Sequence, residues 1–235
     1  LITGLIKRLE KYNWKENKMK TEKKTISVKK ACGEGRVKIV LASKSPRRQD
    51  LLKNIGIDFE VIVSNFDEKS LCASDMDPRE YAAALARKKA EASAAAVKTE
   101  KGVEHLIIGA DTIVVLNGEI LGQPENEADA RRMLKMLSGA ANQVITGVAI
   151  LGLKDGKKTF HSASESTLVY FKHLNDDEID TYVKTGEPLD KAGAYGIQGI
   201  ASLFVDEIEG CYFNVVGLPI MRLSKLFAMH GYSLI

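Results

Sequence analysis

Along this chain, apolar positions switch between the continuous runs of buried strands and the three-to-four-residue spacing of amphipathic helices. Val37 to Leu41 reads as a buried strand. Leu51, Leu52 and Ile55 follow as a helical stripe that Gly56 ends. Phe59 to Val63 reads as the next strand. Asp77-Pro78-Arg79-Glu80 has the form of a capping box with Pro at the first helical position, and it opens an Ala-rich helix running to about Val97. Leu106 to Leu116 is an apolar strand interrupted by Gly109-Ala110-Asp111-Thr112, and Asn117-Gly118 marks a tight hairpin.

Asn126 caps a helix with apolar positions Ala130, Met133, Leu134 and Leu137, closed by Gly139. Val144 to Leu153 and Thr159 to Phe171 read as long strands joined around Asp155-Gly156. Asn175 with Glu178 forms another capping box, with Ile179, Tyr182 and Val183 facing inward and Gly186 at the stop. Ser202 to Ile208 reads as a strand, and Pro219 opens a last helix carrying Leu223, Leu226 and Phe227. Hairpins combined with strand–helix alternation predict an α/β fold with a mixed sheet.

Composition narrows this picture. The 235 residues are 45% hydrophobic, enough for a substantial core, and no apolar run approaches the roughly 18 residues that cross a membrane. Leu1 to Ile6 is too short an apolar segment for a signal peptide. Cys32, Cys72 and Cys211 fit neither a disulfide framework nor a metal-ligand spacing, so a reducing, cytoplasmic location is expected. The net charge of +3 divides unevenly: residues 1–38 hold 12 Lys/Arg and 4 Asp/Glu, and the remainder holds 22 and 27. Residues 1–36 therefore read as a basic extension, solvated or disordered, ahead of one domain at 37–235. Nucleic-acid binding through this tail is the competing reading. Its Tyr12 and Trp14 form no repeated stacking pattern, and the acidic body argues against a broad nucleic-acid groove.

Four places could carry chemistry. Ser43-Lys44-Ser45-Pro46-Arg47-Arg48 runs from a strand into a helix start, with Ser45 at the N-cap. Two hydroxyls, three cations and free backbone N–H groups converge there, which suits phosphate, although surface cations and a Ser-Pro helix start also occur for structural reasons alone. Asp111 lies within an apolar strand, where a carboxylate is costly unless paired or metal-bound. It could hold a divalent cation or activate water. Asp67-Glu68, in the loop after Val63, could complete a hard-metal set. The segment from Gly186 to Gly199 has four glycines, the charged pair Asp190-Lys191, and Gln198, whose amide could read a base edge. No Ser-His-Asp set, zinc motif, P-loop or dinucleotide fingerprint is present.

Taken in order, Leu41-Ala42-Ser43-x-Ser45-Pro46-Arg47-Arg48, Gly109-Ala110-Asp111-Thr112, Leu137-Ser138-Gly139 and Asp190-Lys191-Ala192-Gly193-Ala194-Tyr195-Gly196-Ile197-Gln198-Gly199 resemble the Maf family of nucleoside triphosphate pyrophosphatases. The likeness runs from about Lys38 to Phe227. It implies a mixed-sheet fold related to inosine triphosphate pyrophosphatase, two lobes around a central cleft. It also implies hydrolysis of a nucleoside triphosphate to monophosphate and pyrophosphate with a divalent cation, Mg or Mn. The last block looks like the dTTP/UTP branch; the 7-methyl-GTP branch has a Cys-Ala-Gly-Ser-Phe-Lys-like block there.

By the same resemblance, Asp111 is the proton acceptor, Arg47, Thr112 and Gln198 govern substrate choice, and Glu68 and Lys89 belong to the active site. Ser43 and Lys191 fall in phosphate-binding blocks, and Glu68 with Asp111 would hold the metal. One position departs: Leu121-Gly122-Gln123-Pro124 has Gln123 where the family often has lysine. The expected activity is therefore a cytoplasmic nucleotide pyrophosphatase acting on dTTP, UTP and related pyrimidine triphosphates, which would clear modified nucleotides. A homodimer is implied by the family alone. The alternative is a nucleotide-binding regulator of cell division with weak or no catalysis, an idea Gln123 favours and Asp111, Glu68 and Lys89 oppose.

Overall fold

A computed structural model describes residues 28–30, 35–73 and 76–235. In chain order its elements are β1 (Lys29–Lys30), β2 (Arg36–Leu41), α1 (Pro46–Asn54), β3 (Glu60–Val61), α2 (Pro78–Ala94), β4 (Val103–Leu116), β5 (Glu119–Leu121), α3 (Glu127–Leu137), β6 (Ala141–Lys154), β7 (Lys157–Phe171), α4 (Asp176–Lys184), β8 (Val205–Glu209), α5 (Tyr212–Val216), α6 (Ile220–Met229) and β9 (Tyr232–Ser233). Seven strands form a mixed sheet in the order β3-β2-β4-β6-β7-β8, with β5 paired to β4. β2 runs parallel to β3 and β4; the pairs from β4 through β6 and β7 to β8 are antiparallel.

β4 and β6 are long enough to carry two separate cores. Leu41, Leu52, Ile108, Ile150, Leu223 and Phe227 join α1 and α6 to one end of these strands. Val114, Leu134, Leu137, Val144, Ile179 and Tyr182 join α3 and α4 to the other end. The stripe residues foreseen from helical periodicity all lie in these two cores. On the remaining face α2 packs against β4 and β6 with almost no gap. A Cβ at Gly109 would lie 2.0 Å from the Ala86 carbonyl, and one at Gly147 would lie 2.0 Å from that of Ala82. Gly109 is therefore no interruption: β4 is continuous through Asp111, and its glycine is the place where a helix backbone touches the strand.

The edge of β4 is paired in two separate stretches. β2 pairs with β4 from Val103 to Ile108, and β5 pairs with it from Val114 to Leu116. Between them, residues 109–113 have no strand partner on that edge. The chain after β2 leaves the sheet there to begin α1, which leaves a gap in the pairing of this edge between the two cores.

Several expectations were shifted. Only Glu60–Val61 of the strand foreseen after Phe59 pairs with a neighbour. The strand foreseen from Ser202 is a 3-10 turn, Ile200–Phe204, followed by β8. It forms that turn because Ala201 and Phe204 must turn into the second core, where Phe204 packs edge-on against Tyr182. α2 ends at Ala94. α5 was not foreseen. Lys29–Lys30 pair with Tyr232 and Ser233, so this part of the basic extension is joined to the end of the domain. The rest of the basic tail, residues 1–27 and 31–34, which include Cys32, lies outside the described residues. Among the described residues no helix is long and apolar enough to cross a membrane.

Candidate active site

Side chains alternate across a strand, so Asp111 and Thr112 flank the gap from opposite faces. Asp111 faces α2. Its close register with that helix, set by the Gly–Ala contacts, brings the Lys89 ammonium into a direct ion pair with its carboxylate. Lys89 also meets Glu68 at 2.7 Å. Glu68 is placed by a short turn that Asp67 caps, accepting from the Lys69 amide at 3.1 Å. Asp67 therefore shapes the loop and does not join the cluster. Asp111 is only 6% exposed, and this burial pushes its carboxyl above its ordinary value, against the attraction of Lys89 and then Arg48. Tyr81 lies close enough to Asp111 and Glu68 that burial and then their charges raise its phenol above its ordinary value.

On the other face the turn after β2 delivers its cations. Ser45 occupies the N-cap of α1, as foreseen, but its hydroxyl makes no cap, so the first amides of the helix remain open. Ser43 accepts from the Ser45 amide at 3.2 Å. The arginine that reaches Thr112 is Arg48. Its Nε donates to the Gly217 carbonyl at 2.8 Å, Nη1 to Ser43 Oγ at 3.2 Å and Nη2 to Thr112 Oγ1 at 3.0 Å. Burial lowers the Arg48 pKa from its ordinary value while Asp111 opposes the shift. A guanidinium stays charged under such conditions. Its remaining N–H groups, with half-buried Arg47, leave cationic donors beside the gap.

The segment after α4 closes the far side. Gly193 packs directly on Val114, three residues beyond Asp111, and its amide donates to the Gly122 carbonyl at 3.0 Å. Tyr195 is buried and donates to Asn142 Oδ1 at 2.8 Å. The Lys191 ammonium, also buried, binds the Glu187 carbonyl and Asp190 Oδ1, each at 2.6 Å, so two of its three N–H donors are held within its own loop. Burial alone would raise Asp190; the Lys191 ammonium and Arg47 hold it below its ordinary value. Gln123 donates to the Asp190 carbonyl at 3.2 Å, which places the departing residue beside this loop. Gln198 is exposed.

The structure thus gathers Asp111, Glu68 and Lys89 on one face, and Ser43 and Thr112 around Arg48 on the other. Lys191 and Gln198 sit on the neighbouring loop. Thr146, Asn214 and Gly217 were missed from the sequence, and Arg48, read there only as one of the turn's three cations, is the one that reaches Thr112. The signal available was the one that exposed Asp111: Thr146 and Asn214 are polar residues inside apolar runs. The concavity bounded by Glu104, Lys154 and Thr159 lies where β4 begins and β6 ends, and it gathers none of these groups. The arrangement suits a polyanion with a reacting centre beside a buried base.

The family model for Maf-like proteins matches residues 38–230. The chain is 46% identical to the dTTP/UTP pyrophosphatase of Desulforamulus reducens over 84% of this chain and 98% of that protein. It is 49% identical to the dTTP/UTP pyrophosphatase of Carboxydothermus hydrogenoformans over 83% of this chain and the whole of that protein. The protein of the same name from Thermoanaerobacter sp. is 51% identical over 81% of this chain and 94% of its own length. With the site assembled from the very blocks that the family model spans, this chain belongs to the Maf-like protein family.

Proposed function

We propose that this chain hydrolyses dTTP, UTP and related pyrimidine nucleoside triphosphates to the monophosphate and pyrophosphate. The observation that carries this reading is the buried Asp111 carboxylate, paired with Lys89 and open to a gap whose other face is lined by the Ser43–Arg48 turn. The names of the relatives supply the substrate class.

In this reading Asp111 takes a proton from the water that attacks the α-phosphorus. Burial makes the carboxylate basic, and Lys89 holds it in place. Arg47, Arg48 and Lys191 offset the charge that builds on the phosphate oxygens, and the open amides at the start of α1 receive one phosphate group. Gln198 and Thr112 meet the base. Among the described residues no three His, Cys, Asp or Glu side chains stand close enough to hold a metal unaided. Glu68 and Asp111 nevertheless fit Mg or Mn, because such ions commonly take one or two carboxylates and complete their shell with substrate phosphates and water. When bound, the ion supplies positive charge at the phosphates. A nucleotide substrate sets this work in the cytoplasm.

The test is a panel of dTTP, UTP, CTP, ATP and 7-methyl-GTP with product identification at defined Mg and Mn concentrations. The expected result is preferential release of pyrophosphate from dTTP and UTP. Equal rates on all five, or orthophosphate as the first product, would overturn it.

A further inference from the structure

Behind Thr112 runs a line of buried polar groups that the proposed reaction does not use. Asn214 is 0% exposed, and so is Thr146. Asn214 Oδ1 accepts from the Thr146 amide at 3.1 Å, and its Nδ2 donates to the Val144 carbonyl at 2.9 Å and to Thr167 Oγ1 at 3.0 Å. The Asn214 backbone carbonyl receives the Thr146 hydroxyl at 2.9 Å. Thr146 Oγ1 then lies 2.9 Å from Thr112 Oγ1, and Arg48 Nη2 lies 3.0 Å from the same oxygen.

These partners fix every proton in the line. A carbonyl can only accept, so the Thr146 hydroxyl proton points to Asn214. The proton between the two threonines must therefore come from Thr112. A guanidinium can only donate, so Arg48 occupies one Thr112 lone pair. Thr112 is left with one lone pair and no proton for anything in the gap.

We propose that Thr146 and Asn214 are positioning residues that hold Thr112 as an acceptor only, and that this selects uracil and thymine over cytosine. The imide N3–H of uracil or thymine meets that lone pair as a donor. The ring N3 of cytosine meets it as a second acceptor, leaving two lone pairs opposed. Gln198 cannot make this distinction, because an exposed amide can turn either its oxygen or its nitrogen toward a base. The proposal rests on the reading above that Thr112 lies against the base.

The test compares kcat/KM for UTP and CTP in wild type, Thr146→Val and Thr146→Ser. Valine removes only the hydroxyl and keeps the amide bound by Asn214, so the Thr112 proton is released to face the gap. The UTP/CTP ratio should fall at least about tenfold, chiefly through faster CTP turnover, and serine should restore it. A purely structural role would slow both substrates together and leave the ratio intact. A folded Thr146→Val enzyme with the wild-type ratio overturns the proposal. A second measurement needs no variant. The KM of wild type for 5-fluoro-UTP, whose imide is more acidic, should rise at lower pH than the KM for UTP, while the KM for CTP follows neither. Coincident profiles for the two uracil nucleotides overturn the proposal. Equal wild-type rates on UTP and CTP would instead remove the base-reading role of Thr112 on which it stands.

Discussion

Gly147→Ala should damage both stability and rate, because the active site is assembled by a helix resting on a strand. Gly147 is the register partner of Asp111. A Cβ there would lie 2.0 Å from the Ala82 carbonyl oxygen and 2.2 Å from its carbon. Ordinary contact needs about 3.4 Å, so α2 must lift by about 1.4 Å, since a helix backbone cannot rotate aside as a side chain can. Overpacking of this kind costs about 1–3 kcal/mol, and a backbone clash belongs at the upper end of that range. The same lift draws Lys89 away from Asp111. Misplacement of reacting groups by about 1 Å costs roughly a hundredfold in rate. Urea unfolding and kcat/KM on dTTP read the two effects. Gly122→Ala is the control, because a Cβ there meets nothing within 4 Å; it should stay within about 0.5 kcal/mol of wild type. If Gly147→Ala matches wild type in stability and rate, the close approach of α2 does not set the site's geometry.

Three further outcomes follow from the same contacts. Asp111→Asn keeps shape and volume, so the protein should fold while turnover falls by roughly two to four orders of magnitude; a loss below about threefold would move the base elsewhere. Burial holds His230 below its ordinary pKa, against its bond to the Ile150 carbonyl, so the unfolded chain binds that proton more tightly. Stability should therefore be full above the ordinary histidine value and fall as pH drops through it toward the folded value. Urea midpoints between about pH 8 and pH 5 should show a slope that His230→Gln reduces, and an unchanged slope refutes the assignment. Gln123→Lys sets an ammonium beside Asp190 and Lys191 and should raise kcat/KM on dTTP about tenfold; no gain means the added cation points away from the phosphates.

What the sequence revealed, and what it concealed, follows from the range of each interaction. Asn175 and Glu178 were legible because the capping box closes over three residues, and the structure has both of its hydrogen bonds. Asn117-Gly118 was legible for the same reason, since two positive φ angles suffice to define that hairpin. Gly109 signals a close backbone approach from the sequence alone, but the group that approaches, the Ala86 carbonyl, belongs to another element and has no local signal. Ser202 was read as the start of a strand because its neighbours are apolar; burial against Tyr182 decided otherwise. Asp111 could be singled out because a carboxylate in an apolar strand demands a partner, and Lys89 proved to be that partner. Arg48 stood beside Arg47 with nothing local to separate them. Only the fold, by bringing Ser43, Thr112 and Gly217 together, distinguishes the two.

The account turns on water attacking the α-phosphorus under the control of Asp111. The most direct measurement is hydrolysis of dTTP in water enriched in oxygen-18, with both products analysed by mass spectrometry. The expected result is one labelled oxygen in the thymidine monophosphate and none in the pyrophosphate. Label in the pyrophosphate, or release of labelled orthophosphate, would contradict it, because water would then have reached a phosphorus other than the one this site is proposed to present to Asp111.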